Sequence, residues 1–168
     1  DVLRGEKNLR VLAVDPDAAG AVDPLTEKDL DGGRLVQERD DWAPTRDDLE
    51  VVTERAPTDA ETEAMLFGWR VCKHVTSNAA LLVDGTETVG IGAGQVSRVD
   101  AVRIAARKAD EHAEGKTADG AVLVSDGFFP FPDGIEAAAD AGARAGAQPR
   151  ASGNAGEGGA AARDRGPA

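Results

Sequence analysis

The sequence is poor in cysteine, with Cys72 as its single thiol. One cysteine excludes an internal disulfide, and it leaves no Cys-x-x-Cys pair that could form a zinc knuckle. Cys72 follows Trp69 on one face of a helical pattern. We therefore interpret it as a small buried side chain rather than as a nucleophile.

Basic residues are also scarce, because 19 lysines and arginines face 31 acidic residues and the formal net charge is -12. A protein that binds nucleic acid needs a basic surface to displace counterions from the phosphates, so nucleic acid is not an expected partner. Lysine itself occurs at only five positions. An acid-rich, lysine-poor surface indicates a halophilic protein in a salty cytoplasm, where screening relieves self-repulsion.

Long apolar runs are absent, and no charged-then-apolar leader opens the sequence. We therefore expect a cytoplasmic protein that makes no membrane contact. The length of 168 residues suits one domain with a single core. The sequence starts at Asp1 rather than at methionine, which leads us to expect a fragment of a longer polypeptide.

Three segments differ in composition. Residues 1–50 form an acidic N-terminal segment, and residues 51–147 carry the strong helix and strand patterns. Residues 148–168 are low-complexity, with no apolar residue larger than alanine, so we predict disorder there.

Within the N-terminal segment the structural signals are weak. Leu9–Val14 and Leu35–Gln37 are strand candidates, separated by a loop rich in Asp, Pro and Gly. The stretch Asp40–Asp48 is typical of a solvated connector.

Helices and strands alternate in the middle segment. Thr58 and Glu61 form a capping box that predicts a helix over 59–75. Further elements are predicted as strands at 79–83, 88–91 and 121–124 and as helices from Ser97 to 112 and over 134–141. Val102, Ala105, Ala106 and Ala109 are the predicted inward positions of the second helix. This alternation predicts an α/β layered sheet.

Gly90, Gly92 and Gly94 precede the second predicted helix. A helix N-terminus offers unpaired amides to an anion, but these glycines do not fit the dinucleotide fingerprint, and a tight strand-to-helix turn explains them equally. Arg98 stands in the first helical turn, where its charge opposes the helix dipole. It is either a clamp for a carboxylate, phosphate or carboxamide oxygen, or an ordinary surface arginine.

Asn78 opens a predicted strand just after a helix. It is either a cap or turn residue, or an amide that orients a substrate by donating and accepting hydrogen bonds. Lys73 and His74 could act as a base and a proton shuttle, but cations at a helix end are favoured by the dipole anyway.

A stiff aromatic loop runs from Phe128 to Asp133 and holds three of the four phenylalanines in the chain. Core packing could use one or two of these rings. A rigid aromatic surface beside an acidic residue is also a platform for a flat heterocycle, and both interpretations stay open.

Several of these motifs, in this order, resemble one enzyme family. The matching stretches are Arg55–Thr58, Lys73 with Ser77-Asn78, Val89–Gln95 with Ser97-Arg98, and Ser125-Asp126 with Phe128–Phe131. They are similar to the transformylase part of the family that joins aminoimidazole carboxamide ribonucleotide (AICAR) transformylase with inosine monophosphate (IMP) cyclohydrolase. The resemblance extends over roughly residues 30 to 145.

The resemblance implies a three-layer α/β/α fold like that of cytidine deaminases, as a partial domain and without their zinc. No Cys-x-x-Cys accompanies a His-x-Glu in this sequence, which agrees with a metal-free site. It also implies a formyltransferase that moves the formyl group of 10-formyltetrahydrofolate to the 5-amino group of AICAR in purine biosynthesis.

The same resemblance assigns site residues. Asn78 falls on the active-site asparagine and Arg98 on the arginine that contacts the nucleotide substrate. Positions that contact or line the folate pocket are Val99, Phe128, Pro130, Phe131 and Asp133. Asp126 lies near the place where some family members hold a potassium ion.

The Lys-His pair that transfers protons in this family belongs to an earlier segment, so no base role passes to His74. We expect the cyclohydrolase domain to be absent as well. The chain would then contribute half of a transformylase site, completed in a homodimer or by the missing upstream half. The alternatives are a non-catalytic remnant that retains only the fold, and a nucleotide-binding regulatory module.

Overall fold

The computed structural model describes residues 5, 7–13, 15, 23–112 and 117–150. The chain divides into two compact units, residues 1–41 and 42–168. Within the described part of the chain, no helix combines the length and the apolar character needed to cross a membrane.

The first unit contains an antiparallel hairpin of β1 (Leu25–Leu30) and β2 (Gly33–Glu38). Gly32 forms the turn with a φ of 84°. Cross-strand charges stabilise the pair, since Arg34 Nη1 lies 2.6 Å from Glu27 and Arg34 Nε lies 2.9 Å from Asp29. The strand predicted at Leu35–Gln37 is confirmed as part of β2. Strand β1 was not predicted, because its stretch of the sequence indicates an acidic loop.

The strand predicted at Leu9–Val14 is wrong for residues 9–13, which have no regular structure; Val14 lies outside the described residues. Leu9, Val11 and Leu12 are all exposed. An apolar run becomes a strand only with a pairing partner or a surface to cover, and these residues have neither in the described part of the chain.

The second unit opens with an irregular connector, as predicted, which includes the 3-10 turn Arg46–Asp48. Helix α1 (Asp59–Cys72) begins at the predicted capping box, where Thr58 Oγ1 accepts from the Glu61 amide at 3.2 Å and Glu61 Oε2 accepts from the Thr58 amide at 2.7 Å. The helix ends three residues earlier than predicted, with Lys73 as its C-cap.

The remaining elements follow the predicted alternation. They are β3 (Ala80–Asp84), β4 (Glu87–Gly92), α2 (Arg98–His112), β5 (Val122–Ser125), α3 (Asp133–Asp140) and β6 (Ala145–Ala147). All except β6 were predicted to within a residue or two. A short Ala-Gly-Ala strand gives almost no local signal, because neither residue type favours a strand.

The four-stranded sheet has the order β4-β3-β5-β6. Strand β3 runs antiparallel to both β4 and β5, and β5 runs parallel to β6. The sheet is therefore mixed, and the chain is an α/β protein. The start of β3 and the ends of β4 and β5 consequently meet at one edge of the sheet.

Helices cover both faces of this sheet. Leu81, Val83 and Val124 pack with Met65 and Cys72 of α1 on one face. On the other face, the apolar cluster joins β3 and β5 to α2 and α3 through Ala80, Leu82, Val102, Ala105, Ala109, Leu123 and Ala138. Of the inward positions predicted for α2, Val102, Ala105 and Ala109 are buried and Ala106 is partly buried.

The predicted disordered tail lies mostly outside the described residues, since only Gln148, Pro149 and Arg150 of it are described. Gln148 Oε1 accepts a hydrogen bond from the Phe129 amide at 2.8 Å.

Candidate functional site

Asn78 lies at the sheet edge where β3 begins and β4 ends. Its side-chain Nδ2 donates to the carbonyls of Gln95 at 2.9 Å and Val96 at 3.2 Å. Its backbone exchanges two further hydrogen bonds with Gln95. The peptide bond between Ser77 and Asn78 is cis. The asparagine is therefore bound on its donor side to the segment that follows β4.

Arg98 is the first residue of α2, and its guanidinium points back toward the same edge. Nη2 donates to Asn78 Oδ1 at 2.8 Å, and Nη1 donates to Ser125 Oγ at 3.0 Å and to Asp126 Oδ1. Only 17% of the side chain is exposed. Arg98 is thus not an ordinary surface arginine, because three side chains from two strand ends fix it.

Asp126 follows β5 and joins the same network. Its Oδ1 also accepts from the Ala79 amide at 2.9 Å, and its Oδ2 accepts from the Ser77 hydroxyl. Burial disfavours the charged carboxylate, but the hydrogen bonds from Ser77, Ala79 and Arg98 outweigh it and hold the pKa of Asp126 below its ordinary value. Asp126 is therefore ionised opposite Arg98 at neutral pH.

Glycine at position 127 lets the guanidinium lie against the backbone. A Cβ at Gly127 would come within 2.3 Å of Arg98 Nη2. Ser125, which is almost fully buried, closes the network, because its hydroxyl is shared between Arg98 and the backbone carbonyls of Ala79 and Gly127.

The other glycines that precede α2 serve packing more than anion binding. A Cβ at Gly90 would lie 2.0 Å from the Ala105 carbonyl oxygen, and a Cβ at Gly92 would lie 1.9 Å from that of Ala101. Both residues belong to β4, so their role is to let α2 lie close on the strand. Gly94 forms the turn that follows, and its amide donates to the Thr76 carbonyl at 2.7 Å.

The aromatic loop divides its rings between the core and the surface. Phe129 is 5% exposed and packs in the core, whereas Phe128 is 42% exposed and Phe131 is 60% exposed. The core thus takes one ring and leaves two at the surface. Pro130 and Asp133 are exposed on the same stretch, and Asp133 Oδ1 accepts from the Gly134 amide at 2.8 Å.

The polar residues at the end of α1 lie outside this hydrogen-bonded cluster. Lys73 Nζ donates to the Trp42 carbonyl at 3.4 Å, and His74 is exposed just beyond the helix. Cys72 is buried, and burial raises the pKa of its thiol to about 12. The prediction that Cys72 is a small buried side chain is confirmed, because it packs in the cluster between α1 and the sheet.

The structure joins three of the residues singled out by the sequence, namely Asn78, Arg98 and Asp126, through direct hydrogen bonds. Val99 is partly buried next to Arg98 on α2. Phe128 follows Gly127, on which Arg98 packs, and Pro130, Phe131 and Asp133 lie further along that loop.

Sequence reasoning gave no role to three supporting residues, Ser77, Ser125 and Gly127. Ser77 and Ser125 belong to the stretches that carry the resemblance and stand beside Asn78 and Asp126, and this is the signal that could have found them.

The contacts of Asp126 bear on the potassium ion that the resemblance places near it. Both carboxylate oxygens already accept hydrogen bonds, and Arg98 already balances the charge. No group of three or more His, Cys, Asp or Glu residues able to hold a metal ion occurs among the described residues. Potassium stays a prediction, and we derive no chemical step through it.

Comparison with known proteins gives a consistent result. The family model described as AICARFT/IMPCHase bienzyme matches residues 1–108. Among curated proteins, the chain is 49% identical over 157 residues to the bifunctional purine biosynthesis protein PurH of Dinoroseobacter shibae. This match covers 88% of the chain. The chain is 52% identical over 157 residues to the PurH proteins of Parvibaculum lavamentivorans and Sorangium cellulosum, which cover 88% and 89% of it. The chain spans only 28% to 29% of the length of these relatives.

Proposed function

This chain belongs to the AICARFT/IMPCHase bienzyme family, and on that premise we propose that it carries part of an AICAR transformylase site. The reaction is formyl transfer from 10-formyltetrahydrofolate to AICAR in purine biosynthesis. Because the chain spans 29% of the Dinoroseobacter shibae relative, the rest of the site would come from another segment or from a second subunit of a homodimer. The cyclohydrolase activity would reside elsewhere.

The observation that carries this proposal is the hydrogen-bonded cluster of Asn78, Arg98 and Asp126. It combines an oriented amide, a guanidinium and a paired carboxylate where strand ends meet, which is the usual position of ligand sites in α/β folds. We also propose a three-layer α/β/α fold like that of cytidine deaminases. It is supported by the helices, because one covers one face and two cover the other face of a sheet in the order β4-β3-β5-β6.

In the proposed reaction the 5-amino nitrogen attacks the formyl carbon, the bond from that carbon to N10 of the folate breaks, and one proton passes from the amine to N10. An amine conjugated to a carboxamide is a poor nucleophile, so orientation and proton removal are what the enzyme must supply.

The contacts of Asn78 favour one of its two conceivable roles. Its side-chain nitrogen donates to the carbonyls of Gln95 and Val96, whereas Oδ1 accepts a single hydrogen bond from the described residues, that of Arg98. A carboxamide oxygen has two lone pairs. We therefore assign Asn78 to holding the substrate amine by accepting its hydrogen bond, and not to donating to the tetrahedral oxygen.

We propose that the folate binds on the exposed aromatic surface formed by Phe128 and Phe131. Val99, Pro130 and Asp133 would line the same pocket. A pteridine is flat and can stack on an aromatic ring whose position is fixed by its backbone. The loop is held at its centre, where the Phe129 ring is buried and the Phe129 amide donates to Gln148.

Calorimetric titration tests whether this chain keeps a substrate site. We expect saturable heat with AICAR and, separately, with tetrahydrofolate, the product that lacks the formyl group. Arg98→Ala should weaken AICAR binding by about tenfold or more, since hydrogen bonds from a charged donor contribute about 1.5–3 kcal/mol. The matched control is Arg144→Ala, an arginine in an exposed ion pair with Asp119.

No saturable heat with either ligand would identify the chain as a non-catalytic remnant of the fold. Binding of a dinucleotide in place of both ligands would favour a regulatory module instead.

A further inference from the structure

We propose that Asp126 is a positioning residue that fixes the Arg98 guanidinium against Asn78 and thereby sets the direction in which Arg98 meets the substrate. The proposal rests on the assignment of Arg98 to AICAR binding. In this role Asp126 acts through Arg98 and does not itself contact the substrate or a metal ion.

The first argument is that Asp126 is itself immobilised. Its two oxygens accept hydrogen bonds from the Ala79 amide at 2.9 Å and from the Ser77 hydroxyl, and both of these residues lie just before β3. The Asp126 amide donates back to the Ala79 carbonyl at 3.3 Å. The carboxylate is thus tied to the neighbouring strand, with 17% of its side chain exposed, before Arg98 is considered.

The second argument is that this carboxylate is the only charged partner of Arg98 among the described residues. The other two partners, Ser125 and Asn78, are neutral. An arginine side chain has many rotamers, and a hydrogen bond between opposite charges is roughly twice as strong as one between neutral groups. Asp126 therefore contributes most to holding the guanidinium in one orientation.

The third argument concerns the donors that remain. A guanidinium is planar and carries five N–H groups in a fixed arrangement. Three hydrogen bonds go to Asn78, Ser125 and Asp126, so Nε–H and one Nη2–H have no acceptor within the described part of the chain. Because the group is planar, fixing one edge also fixes where these two remaining donors point.

The steric contact with Gly127 points to the same arrangement independently. The guanidinium lies so close to this residue that an added Cβ would overlap both Nη2, at 2.3 Å, and Cζ, at 2.8 Å. Asp126 thus holds the guanidinium electrostatically while the Gly127 backbone limits its movement from the adjacent position.

Two substitutions disturb this arrangement in different ways. Asp126→Asn removes the charge, and Gly127→Ala displaces the guanidinium sterically while leaving the carboxylate in place. We expect each to weaken AICAR binding by about tenfold in calorimetry, with tetrahydrofolate affinity unchanged. The control is Asp119→Asn, which removes the carboxylate of the exposed Arg144 pair and should change neither affinity.

A double-mutant cycle separates positioning from a general structural effect. Since Asp126 acts through Arg98, Asp126→Asn should add nothing to the loss caused by Arg98→Ala. Additive losses in AICAR affinity would overturn the proposal. So would an equal loss of AICAR and tetrahydrofolate affinity in Asp126→Asn, because that pattern indicates a distorted fold.

Nitrogen-15 NMR of the arginine side chains tests the proposal without any substrate. Wild-type Arg98 should show separate, slowly rotating Nη signals, Asp126→Asn should average them, and Asp119→Asn should leave them unchanged. Unaltered Arg98 signals in Asp126→Asn would contradict the positioning role. If the wild-type chain binds no AICAR, the proposed function fails, and this spectrum still decides whether Asp126 holds Arg98.

Discussion

Asn78 and Arg98 are joined by a direct side-chain hydrogen bond in the candidate site, in which Arg98 Nη2 donates to Asn78 Oδ1 at 2.8 Å. Their identities and neighbours in sequence were enough to single them out. Their hydrogen bonds could not be predicted, because the Asn78–Arg98 contact spans 20 residues and the Arg98–Asp126 contact spans 28. Such contacts depend on sheet topology, which no local pattern specifies.

The ionisation of Glu61 changes on folding, and this residue lies in the first turn of α1. Hydrogen bonds from Arg55, at 2.9 and 3.0 Å, are the main cause, and they lower the pKa of Glu61 from 4.5 to about 2. Burial raises this pKa, whereas hydrogen bonds from Thr58 lower it further. Arg55 also donates to the Arg144 carbonyl at 2.8 Å, which connects the start of α1 to the segment before β6.

This shift predicts a pH dependence of stability. A carboxylate whose pKa is lowered by folding stabilises the protein above its unfolded pKa, and that contribution is lost as the pH falls toward the folded pKa. The wild-type chain should therefore lose stability between pH 4.5 and about 2. Glu61→Gln should start less stable at neutral pH and lose less over the same interval.

Urea unfolding at a series of pH values, followed by fluorescence, measures this effect. Trp42 and Trp69, the two tryptophans, both lie in the second unit. Identical pH profiles for the wild type and Glu61→Gln would show that the Arg55–Glu61 pair does not contribute as described.

At the scale of elements, the patterns that predicted well were those with a local physical cause. The capping box located the start of α1, and the apolar runs located β3 and β5. Elements with small or polar residues were missed: β1 is mostly polar and exposed, and β6 is only Ala-Gly-Ala. Their strand conformation comes from pairing with a neighbour rather than from intrinsic preference.

The packing of α2 on β4 gives a prediction at this scale. Gly92→Ala would place a methyl group 1.9 Å from the Ala101 carbonyl oxygen, so helix and strand would have to separate. We expect a loss of about 2 kcal/mol in unfolding free energy, as is typical of overpacking. Urea unfolding monitored by tryptophan fluorescence provides the measurement.

Gly146→Ala is the matched control, because it is the same substitution in the edge strand β6, where the nearest atom would lie at 3.3 Å. It should cost clearly less stability than Gly92→Ala. Equal unfolding midpoints for Gly92→Ala and the wild type would refute the close approach of α2 to β4.

At the scale of the whole molecule, the acidic surface and the candidate site have different electrostatics. The chain carries a formal charge of -12, yet Arg98 and Asp126 balance each other within the site. Such a paired guanidinium suits a neutral acceptor such as a carboxamide oxygen, because its positive charge is already compensated. The interpretation of the acidic surface as a halophilic adaptation stays a prediction.

The length of the relatives determines how the complete activity should be assayed. This chain corresponds to less than a third of the length of the PurH proteins it matches. A complementation experiment can supply the rest: the Parvibaculum lavamentivorans relative, with its matching segment deleted, is mixed with this chain.

Formyl transfer from 10-formyltetrahydrofolate to AICAR by that mixture measures whether this chain supplies part of a transformylase site. We expect the mixture to form product well above the rate of either component alone. Asn78→Ala in this chain should lower that rate by about 100-fold, because the substrate amine would lose the acceptor that orients it. A mixture no faster than its separate components would show that this chain supplies no part of that site. An Asn78→Ala mixture as active as the wild-type mixture would show that Asn78 does not orient the substrate.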